Sequence, residues 1–478
     1  MSKVHHAPER SVRYPTLAII PWGLSLEDFL LPNALSLEDF CTEFTGSWIF
    51  GYSLALREAG VRTVIVCFSE GVETVTRRVH RATGTALCII PVTRTYRRLR
   101  ARMRTPYGRT VAATFDVRSS TRALLRPLLF AVKEFAPYSA APLRVLTREL
   151  RRDNCGAILC QEYEFPRFDL CVAVGRLLKI PVYGSFQGGD YQRWKLERLT
   201  RPLAVRLAAG LIIASEAEAD RVRSHYRPAS VAQFPNPIDL HVWRPHDRAA
   251  ARASLGISES ARVVAWHGRV ELEKKGLDLL VDVWARLSKT GGQLPFVLLI
   301  IGTGRDTAEV RRRLDDRGLR NVVWIDRYIH DRAEIARLLA AGDVYAFTSL
   351  HEGFPLAPIE AMACGLPVVS TDVSGIRDVF VNGETSGGII VRSRRSEEFA
   401  TELLRVLGNE ELCRTLSARA RARARAYGSE TIGPQVREYL FGEHSAERPL
   451  LVGDGPPEPR PAGSRLDPLQ PYRGQAGN

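Results

Sequence analysis

The chain has 478 residues, of which 45% are hydrophobic and 25% charged. This composition excludes a fibrous or fully disordered protein, and the length leaves room for two or three domains. The net charge of +14 is local: residues 74–152 hold 18 basic side chains against three acidic ones, so the rest of the chain is close to neutral. No apolar run approaches the ~18 uncharged residues that cross a bilayer, and Met1–Thr16 has no apolar signal-peptide core.

The eight cysteines show neither a CxxC pair nor the spacing of zinc ligands, and most fall inside apolar segments. Cysteines of this kind are typical of buried thiols in a reducing compartment. The sequence therefore predicts a cytoplasmic protein whose cysteines are chemically inert.

Short apolar, β-branched segments alternate with helix-length segments along almost the whole chain. In the first half the predicted strands are Leu17–Ile20, Thr63–Phe68, Ala86–Pro91, Ala157–Cys160, Val182–Phe186, Leu211–Ala214 and Ser230–Phe234, and the predicted helices include Ser47–Ala59, Arg122–Arg152 with breaks at Pro137 and Pro142, Phe168–Lys179 and Tyr191–Ala209. In the second half the strands are Val263–His267, Phe296–Ile301, Val322–Trp324, Val344–Thr348, Pro367–Ser370 and Gly388–Val391, and the helices are Leu277–Leu287, Ala308–Arg317, Asp331–Ala341, Leu356–Ala363 and Glu397–Leu407. This spacing predicts the α/β class, with two parallel sheets covered by helices on both faces, and hence two Rossmann-like domains.

The two series of elements meet at Pro235–Asp239, where two prolines exclude both a helix and a central strand. We therefore place one Rossmann-like domain in residues 1–236 and the other in residues 237–428. Residues 429–442 are predicted to form a helix that returns to the N-terminal domain. Residues 443–478 are predicted to be disordered, because they hold seven Pro and five Gly without periodicity.

A short acidic repeat interrupts the first domain, since Leu24–Phe29 (LSLEDF) recurs as Leu35–Phe40 with Pro32 between the copies. The proline disfavours one continuous helix across both copies. Two interpretations are open for this insertion: a mobile acidic lid over a cleft, or a local insertion that packs its Leu and Phe side chains.

The densest motif of the chain is Ser349–Val369, which follows the predicted buried strand Val344–Thr348. A short polar loop leads from the carboxyl end of that strand into a helix whose first turn accepts Pro355. Parallel sheets bind ligands at this edge, and the free N–H groups at a helix start favour phosphate. Glu352 then lies in the loop, and Glu360 lies a turn or more into the helix, where a carboxylate can accept hydrogen bonds from a diol.

At these residues the chain resembles the retaining glycosyltransferases of family 4, which have the GT-B fold of two Rossmann-like domains facing across a cleft. Their hallmark is a pair of Glu separated by seven residues, in the context EGF-x-L-x-x-x-E-A-M-A-x-G-x-P-V-V, and Glu352 and Glu360 match it. The resemblance implies that Glu352 holds hydroxyls of a donor sugar and that Glu360 holds the ribose. The implied donor-binding residues around them are Gly353, Phe354, Pro355 and Leu356.

A second segment, after the first strand of the C-terminal half, resembles the family's GR…KG-x-x-x-L motif. The resemblance implies that Arg269 and Lys275 converge on one diphosphate and offset the charge of the leaving group. Gly302 and Gly304 match the family's third turn, where glycines let the backbone approach the ligand. Arg327 falls where the family's backbone contacts the nucleotide base.

The N-terminal half matches the family less closely. Gly46 and Ser47 are the candidates for the glycine-containing turn that approaches donor and acceptor. Gln187 stands where many members have a His that contacts the donor sugar, and glutamine can hydrogen-bond but does not become charged. Glu162 and Glu164 follow another strand end, where they are either contacts for an acceptor hydroxyl or surface carboxylates of a loop.

The resemblance implies transfer of a hexose-type sugar from a nucleotide diphosphate donor to a hydroxyl acceptor, with retention and without a metal or other cofactor. A UDP-sugar is favoured and a GDP-sugar comes second, and the acceptor is expected to be a lipid-linked or cell-envelope glycan. The chain has no DxD motif for a metal, no GxxxxGK[ST] loop and no full GxGxxG. Two alternatives remain: a catalytically silent protein that binds nucleotide sugars, or a sugar-nucleotide epimerase.

The basic excess includes a crowded segment, Arg94–Arg104, in which six arginines are mixed with Tyr96, Leu99 and Met103. Such a segment either binds anionic lipid headgroups, with the protein peripheral on the inner face of the cell membrane, or is a solvated loop. Nucleic acid is not expected as a partner, because no known nucleic-acid-binding module accompanies the charge.

Overall fold

The computed structural model describes residues 14–33, 35–115, 125–188, 195–289 and 295–442. The segment predicted to be disordered, residues 443–478, lies outside the described residues, as do the beginnings of the predicted helices Arg122–Arg152 and Tyr191–Ala209. In the described residues, two largely parallel sheets carry helices on their faces. The predicted fold class, two Rossmann-like α/β domains, is confirmed.

The first sheet is formed by the N-terminal half of the chain. Its strands are β1 (Thr16–Ile20), β2 (Arg62–Ser69), β3 (Thr76–Val79), β4 (Ala86–Pro91), β5 (Ala157–Gln161), β6 (Val182–Ser185), β7 (Gly210–Ile212) and β8 (Val231–Ala232). They lie in the order β3-β4-β2-β1-β5-β6-β7-β8, and every neighbouring pair is parallel except β3 and β4. The central strand β1 is buried on both faces, since Ala18 and Ile20 pack into one core cluster and Leu17 and Ile19 into another.

The second sheet is formed by the C-terminal half and is parallel throughout. Its strands are β9 (Arg262–His267), β10 (Phe296–Ile301), β11 (Val322–Ile325), β12 (Val344–Phe347), β13 (Val368–Thr371) and β14 (Gly388–Val391). Their order is β11-β10-β9-β12-β13-β14, so the chain reverses its direction of addition between β9 and β12. Crevices at such a reversal, outside the carboxyl ends of the strands, are where parallel sheets bind ligands.

Helices connect these strands. In the N-terminal half they are α1 (Glu27–Leu30), α2 (Leu37–Thr42), a π-helical turn (Ser47–Gly51), α3 (Tyr52–Glu58), α4 (Arg94–Arg100), α5 (Val111–Thr114), α6 (Arg126–Phe135), α7 (Leu143–Arg152), α8 (Pro166–Leu178), α9 (Glu197–Leu207) and α10 (Glu216–Tyr226). In the C-terminal half they are α11 (Arg248–Ser254), α12 (Leu277–Leu287), α13 (Thr307–Asp316), α14 (Arg332–Leu339), α15 (Leu356–Ala363), α16 (Ile376–Val379), α17 (Ser396–Leu407), α18 (Glu410–Ala424) and α19 (Ser429–Phe441). Among the described residues, no helix combines the length and the apolar character needed to cross a bilayer.

The last helix, α19, packs on the N-terminal half of the chain. Gly433 lies against α3 so closely that a Cβ atom there would be 2.3 Å from the carbonyl oxygen of Ala55. Ile432, Val436 and Leu440 belong to the same core cluster as β1. The chain therefore crosses between the two halves twice, at the linker before β9 and again just before α19.

The strands agree with the sequence predictions to within two or three residues at each end, but two segments differ. The predictions missed β3, a polar edge strand whose Arg77 and Val79 are partly or fully exposed, so it has no apolar pattern to reveal it. The segment Arg94–Arg104 is not a loop, because its first seven residues form α4, capped by the side chain of Thr93.

The acidic repeat is a packed insertion rather than an open lid. Its apolar side chains are buried in the core cluster beside β1, and they include Leu26, Leu30, Leu35 and Phe40. Its acidic groups cap backbone: Glu27 accepts hydrogen bonds from the N–H groups of Glu70 and Gly71, and Asp28 accepts them from Leu24 and Ser25. The second of the two interpretations is therefore the one that the structure shows.

Candidate active site

The two sequence blocks of the C-terminal half meet at one edge of the second sheet. β9 leads into the loop of Arg269 and Lys275, β10 into Gly302 and Gly304, and β12 into the loop of Glu352. Because these strands are parallel neighbours, the three loops lie at their common carboxyl edge. The edge is therefore built from segments that are far apart in sequence.

Lys275 and Glu352 form a direct ion pair at this edge. The Nζ atom of Lys275 lies 2.7 Å from Oε1 of Glu352, although the two residues are 77 positions apart. The side chains keep 23% and 13% of their exposure, so the pair is accessible to a ligand. An ammonium group in this position can exchange a carboxylate for a phosphate, because both offer anionic oxygen acceptors.

The backbone around Lys275 explains how this pair forms. Gly276 has φ = +64°, and a Cβ atom there would lie 1.8 Å from the carbonyl oxygen of Thr348, so only glycine fits. The hydroxyl of Thr348 donates to the carbonyl of Lys275, and the N–H of Leu350 donates to the carbonyl of Lys274. These contacts hold the loop after β9 against the loop after β12, and they bring the side chains of Lys275 and Glu352 within reach of each other.

Glu360 makes a second, buried pair with a residue that the sequence did not single out. Its Oε2 atom lies 2.9 Å from Nε2 of His267, the last residue of β9, and both side chains are about 5% exposed. Burial opposes ionisation of Glu360, but the hydrogen bond from His267 and the charges of His267 and Arg332 outweigh it and lower its pKa. No described hydrogen bond reaches Oε1 of Glu360, so this oxygen remains able to accept one from a ligand.

Arg269 is less constrained than Lys275. Its side chain is 54% exposed and pairs with Glu271 at 3.2 Å, so the two cations of the block hold different carboxylates in this structure. The turn beneath Arg269 is held by close backbone contacts: a Cβ atom on Gly302 would lie 2.0 Å from the carbonyl oxygen of Gly268, and one on Gly304 would lie 2.3 Å from that of Val270. Gly302 and Gly304, which were predicted to let the backbone approach a ligand, therefore make close contacts between the loop after β10 and the loop after β9.

The loop between β11 and α14 adds residues that the motifs did not indicate. The side chain of Arg327, a residue predicted from the resemblance, forms an ion pair with Glu334. Arg332 lies close enough to Glu360 for its charge to lower the pKa of that carboxyl, while burial raises the pKa of Tyr328 against the opposing charges of Arg332 and Arg269. Nothing in the sequence pattern marks Tyr328 or Arg332, because neither belongs to a spaced motif.

The other residues predicted to bind the donor surround the start of α15. Pro355 precedes the helix, rather than lying within its first turn as expected, and Leu356 is the first helical residue. The ring of Phe354 lies 6.2 Å from that of Tyr427. Gly375 supports this loop, since a Cβ atom there would lie 2.9 Å from Cδ of Pro355.

Gln187, on the N-terminal side, is held by a reciprocal pair of amide hydrogen bonds. Its Nε2 atom donates to Oδ1 of Asn236 at 3.2 Å, and Nδ2 of Asn236 donates to Oε1 of Gln187 at 2.7 Å. The N–H of Gln187 also donates to Oε2 of Glu162 at 3.3 Å. The side chain is thus directed toward the linker between the two halves, and its predicted contact with a donor sugar stays a prediction.

The two halves of the molecule touch at both sides of this edge. A Cβ atom on Gly353 would lie 2.5 Å from Cα of Gly188, so two glycine backbones meet where the loops after β6 and β12 approach each other. The hydroxyl of Thr45, just before the predicted turn at Gly46 and Ser47, donates to the carbonyl of His330 at 3.2 Å. The carboxyl edges of the two sheets therefore face each other across a cleft.

Glu162 and Glu164 are not surface carboxylates. Both are at most 3% exposed, and Oε1 of Glu164 accepts a hydrogen bond from Arg221 at 2.8 Å. Burial raises the pKa of Glu164 despite the opposing charges of Arg201 and Arg221. Contact of either residue with an acceptor hydroxyl stays a prediction.

The charged groups at this edge suit an anionic ligand. Arg269 and Lys275 lie on the loop after β9, Arg332 begins α14, and α15 begins after β12 with first N–H groups that have no partner within the helix. Within the described residues, no group of three or more His, Cys, Asp or Glu side chains is placed to hold a metal ion.

Comparison with known proteins finds a family match for the segment that carries this site. Residues 247–423 match the family described as "Glycosyl transferases group 1". A D-inositol 3-phosphate glycosyltransferase of Jonesia denitrificans is 32% identical over 252 residues, which are 50% of this chain and 58% of the relative. The chain thus spans 49–58% of the length of the first three curated relatives it matches.

Solved structures share the fold over nearly the whole chain. Sucrose-phosphate synthase from Thermosynechococcus elongatus superposes with a TM-score of 0.61 and 20% identity, over 89% of this chain and 98% of that one. HepE of Anabaena in complex with UDP gives a TM-score of 0.60 and 15% identity, over 89% and 99% of the two chains. Residues 247–423, which carry the Arg269–Lys275 block and the paired glutamates, thus match the glycosyl transferases group 1 family, as their motifs indicated.

Proposed function

We propose that the chain is a retaining glycosyltransferase that takes a hexose-type sugar from a nucleotide diphosphate and passes it to a hydroxyl acceptor. The observation that carries this proposal is the pairing of Lys275 with Glu352 beside the pairing of His267 with Glu360 at one carboxyl edge. A cation for phosphate and a fixed carboxylate for a diol are the two groups that such a donor requires.

In this mechanism Lys275 leaves Glu352 when the donor enters, because the diphosphate offers more negative charge than a single carboxylate. Glu352 is then released to accept hydrogen bonds from hydroxyls of the sugar. Arg269, whose side chain is exposed and therefore movable, completes the countercharge for the leaving phosphate. Glu360 keeps its hydrogen bond with His267 through Oε2 and accepts a hydrogen bond from a ribose hydroxyl through Oε1.

The acceptor reacts on the face of the sugar from which the diphosphate leaves, and the leaving phosphate oxygen takes the proton of the attacking hydroxyl. The bond between the anomeric carbon and the phosphate oxygen breaks while the bond to the acceptor oxygen forms, so the configuration is retained. The proposal needs neither a metal nor a side-chain base, and addition of EDTA is expected to leave the rate unchanged.

A uridine donor is favoured over a guanosine donor. HepE, which shares the fold, was solved with UDP and with UDP-glucose, which supports a uridine donor here. The curated relatives carry the name D-inositol 3-phosphate glycosyltransferase, which supports a hydroxyl acceptor on a small polar ring or on a glycan that carries one.

The arginines of residues 94–104 support a second proposal, that the protein lies peripherally on an anionic membrane on the cytoplasmic side. Arg94, Arg98, Arg102 and Arg104 are exposed, whereas Tyr96 and Met103 are buried, so the contact would rest on charge and not on inserted apolar side chains. Co-sedimentation with vesicles of acidic lipid is expected at low salt and lost at high salt. Absence of binding at low salt would remove this part of the proposal.

Donor binding is the direct test of the first proposal. Titration calorimetry with UDP-glucose and GDP-mannose is expected to show binding, tighter for the uridine donor, and release of UDP is expected on incubation with acceptor sugars. Lys275→Ala and Glu360→Ala should lower turnover and donor affinity, respectively. Lys289→Ala and Glu411→Ala, which replace exposed residues of the same half, are the matched controls.

Each outcome has a consequence for the proposal. An NMR spectrum of the product should show the donor's anomeric configuration, and inversion would contradict the mechanism. Binding without UDP release in the presence of any acceptor would identify a silent binding protein. Conversion of UDP-glucose into an epimer without release of UDP would identify an epimerase.

A further inference from the structure

Two tryptophans stand side by side at the carboxyl edge of the first sheet. The ring centroids of Trp22 and Trp48 are 6.1 Å apart, and Phe29 lies 6.3 Å from the first and 5.5 Å from the second. All three side chains are partly exposed, although the aromatic rings behind them, Phe44 and Phe165, are buried. The group therefore has a packed side and an open side.

Their position in the fold puts the open side at the cleft. Trp22 comes two residues after β1, the central strand of the sheet, and Trp48 lies in the π-helical turn that Gly46 introduces. Thr45, next to that turn, contacts His330 of the other half. Ligands bind outside the carboxyl ends of parallel strands, and π-helical turns occur often at functional sites.

Both indole groups also keep a hydrogen-bond donor available. No described hydrogen bond involves Nε1 of Trp22 or Trp48, and neither atom is among the buried polar atoms that lack a partner. Trp284 and Trp324 differ, since their Nε1 atoms donate to Asn321 and to the carbonyl of Gly302. An indole N–H usually finds a hydrogen-bond partner, so these two donors are available to a ligand at this edge.

The structure fixes the orientation of Trp48 before any ligand arrives. Nε2 of Gln161, at the end of β5, donates to the carbonyl of Trp48. A Cβ atom on Gly46 would lie 2.4 Å from the ring of Phe44 and 3.0 Å from Nε1 of Trp48, so the turn and the rings are packed closely. A surface that is ordered in advance binds with less loss of entropy.

We propose that Trp22 and Trp48 form the acceptor subsite and that the acceptor presents a six-membered polyhydroxylated ring. This inference rests on the proposed function, since it names the acceptor class of the same cleft. The C–H face of such a ring carries partial positive charge and stacks on the negative face of an aromatic ring. Its hydroxyls can accept hydrogen bonds from the two indole N–H groups, whereas an acyclic polyol offers no flat apolar face.

A direct binding experiment needs no donor. Tryptophan emission is recorded while methyl glucoside, methyl mannoside, myo-inositol or xylitol is added to the full chain. We expect quenching by at least one ring compound and none by xylitol, and the more effective ring separates a pyranose acceptor from a cyclitol. The signal should disappear in Trp22→Phe/Trp48→Phe, although five of the seven tryptophans remain. Quenching by xylitol, or quenching that survives in this double variant, would overturn the proposal.

Kinetics of transfer provide the second experiment. Trp22→Leu keeps apolar packing but removes the aromatic face, so the KM for a ring acceptor should rise by roughly tenfold. Trp22→Phe keeps most of the stacking, so its KM should rise by only about twofold to threefold. The affinity for UDP should stay the same in both variants, which shows that the fold is retained. Phe135→Leu, which removes an exposed aromatic ring from α6, is the matched control.

The two experiments separate this inference from the proposed function. If the parent releases no UDP from UDP-glucose but ring compounds still quench the emission, the glycosyltransferase proposal fails and the ring-binding subsite remains. If transfer proceeds and Trp22→Leu leaves the acceptor KM unchanged, the aromatic subsite is wrong and the enzyme assignment remains.

Discussion

The two sides of the cleft use different chemistry. On the C-terminal side charges meet at short distances, Lys275 with Glu352 and His267 with Glu360, on loops that glycines hold together. On the N-terminal side mainly neutral groups meet, namely the amides of Gln187 and Asn236, with the buried carboxylate of Glu162 beside them, and the rings around Trp22. A diphosphate needs cations at set positions, whereas an acceptor is selected by shape and by weak polar contacts.

This difference also explains why the family match is confined to one half. The matched residues, 247–423, hold the charged side, and the identity to curated relatives extends over about half of the chain. The N-terminal side contains the insertion of α1 and α2, which separates Gly23, after β1, from Gly46 and Ser47, the candidates for the family's glycine turn. Four experiments can break or sharpen this contrast, and they are ordered by the size of the expected effect.

Lys275→Ala should have the largest effect. Removal of a group that stabilises developing charge lowers turnover by about a hundredfold to a thousandfold. The KM for the donor should change much less, because Arg269 and the start of α15 remain. The measurement is kcat with UDP-glucose and a saturating acceptor, compared with Lys289→Ala as control. Turnover within threefold of the parent would show that the charged side does not carry the chemistry.

Gly276→Ala should come second, and here the chain offers a matched control. Gly276 and Gly256 have nearly the same φ, +64° and +66°, but a Cβ atom on Gly276 would collide with the carbonyl of Thr348 whereas one on Gly256 meets nothing within 4 Å. Gly256→Ala should therefore cost only the strain of a left-handed alanine, about 1 kcal/mol of unfolding free energy.

In Gly276→Ala the collision adds to that strain, so the loss should reach about 3 kcal/mol, and transfer should fall because the loop of Lys275 is displaced. The unfolding midpoint in urea and the rate of UDP release measure the two effects. Equal losses in the two variants would mean that the contact with Thr348 does not organise the site.

The sequence indicated the strands and the charged residues of the C-terminal side for identifiable reasons. Buried parallel strands are continuous β-branched runs, and the motif after each strand is short, so its residues could be matched to the pattern of the family that the chain resembles. The partners were not predictable in the same way. The motif named Lys275 and Glu352 as separate ligands of a donor, and their contact with each other depends on the neighbouring positions of β9 and β12 in the sheet.

The residues that the sequence missed have physical reasons too. A histidine at the end of a buried strand is most often a core residue, so nothing marked His267 as the partner of Glu360. Asn236 stands between two prolines in what looked like a plain linker, and its contact with Gln187 spans 49 positions. The side chains of α4 were predicted to face lipid or solvent, but Tyr96 is fully buried, because only the fold shows which side of a basic segment turns inward.

A pH profile tests the second charged pair. The pKa of Glu360 is held below its ordinary value of 4.5, so the ionised carboxylate is present in the folded protein at all higher pH values and is lost only as the pH falls through that lowered pKa. In His267→Phe the hydrogen bond and the positive charge are absent while burial remains, so the pKa of Glu360 should rise. Donor affinity should then decrease with falling pH at a higher pH than in the parent.

At mildly acidic pH the dissociation constant for UDP should be about tenfold higher in His267→Phe than in the parent. This corresponds to a rise of about one unit in the pKa of Glu360, or about 1.4 kcal/mol. Calorimetry over a series of pH values gives the profile, and adding Glu360→Gln to both proteins should remove the difference between their profiles, because the amide does not titrate. His267→Phe with the profile of the parent would show that His267 does not control the ionisation of Glu360.

The smallest effect is expected on the neutral side of the cleft, for the amide pair of Gln187 and Asn236. Replacing either one by alanine leaves the other amide partly buried without its partner, and each change should lower the free energy of unfolding by about 1–2 kcal/mol. The double variant should lose less than the sum, with a coupling energy of about 1 kcal/mol, because the contact is removed only once.

Gln187→His is the more informative variant, since it introduces the residue that many family members have at this position. An imidazole is too short to keep both hydrogen bonds with Asn236, so the variant should be less stable than the parent. Its donor affinity should stay within about twofold of the parent's, a smaller change than the gain of one hydrogen bond would cause. If donor affinity instead increases severalfold, the side chain at position 187 reaches the sugar after all. The neutral side would then take part in donor binding, and the contrast between the two sides of the cleft would have to be abandoned.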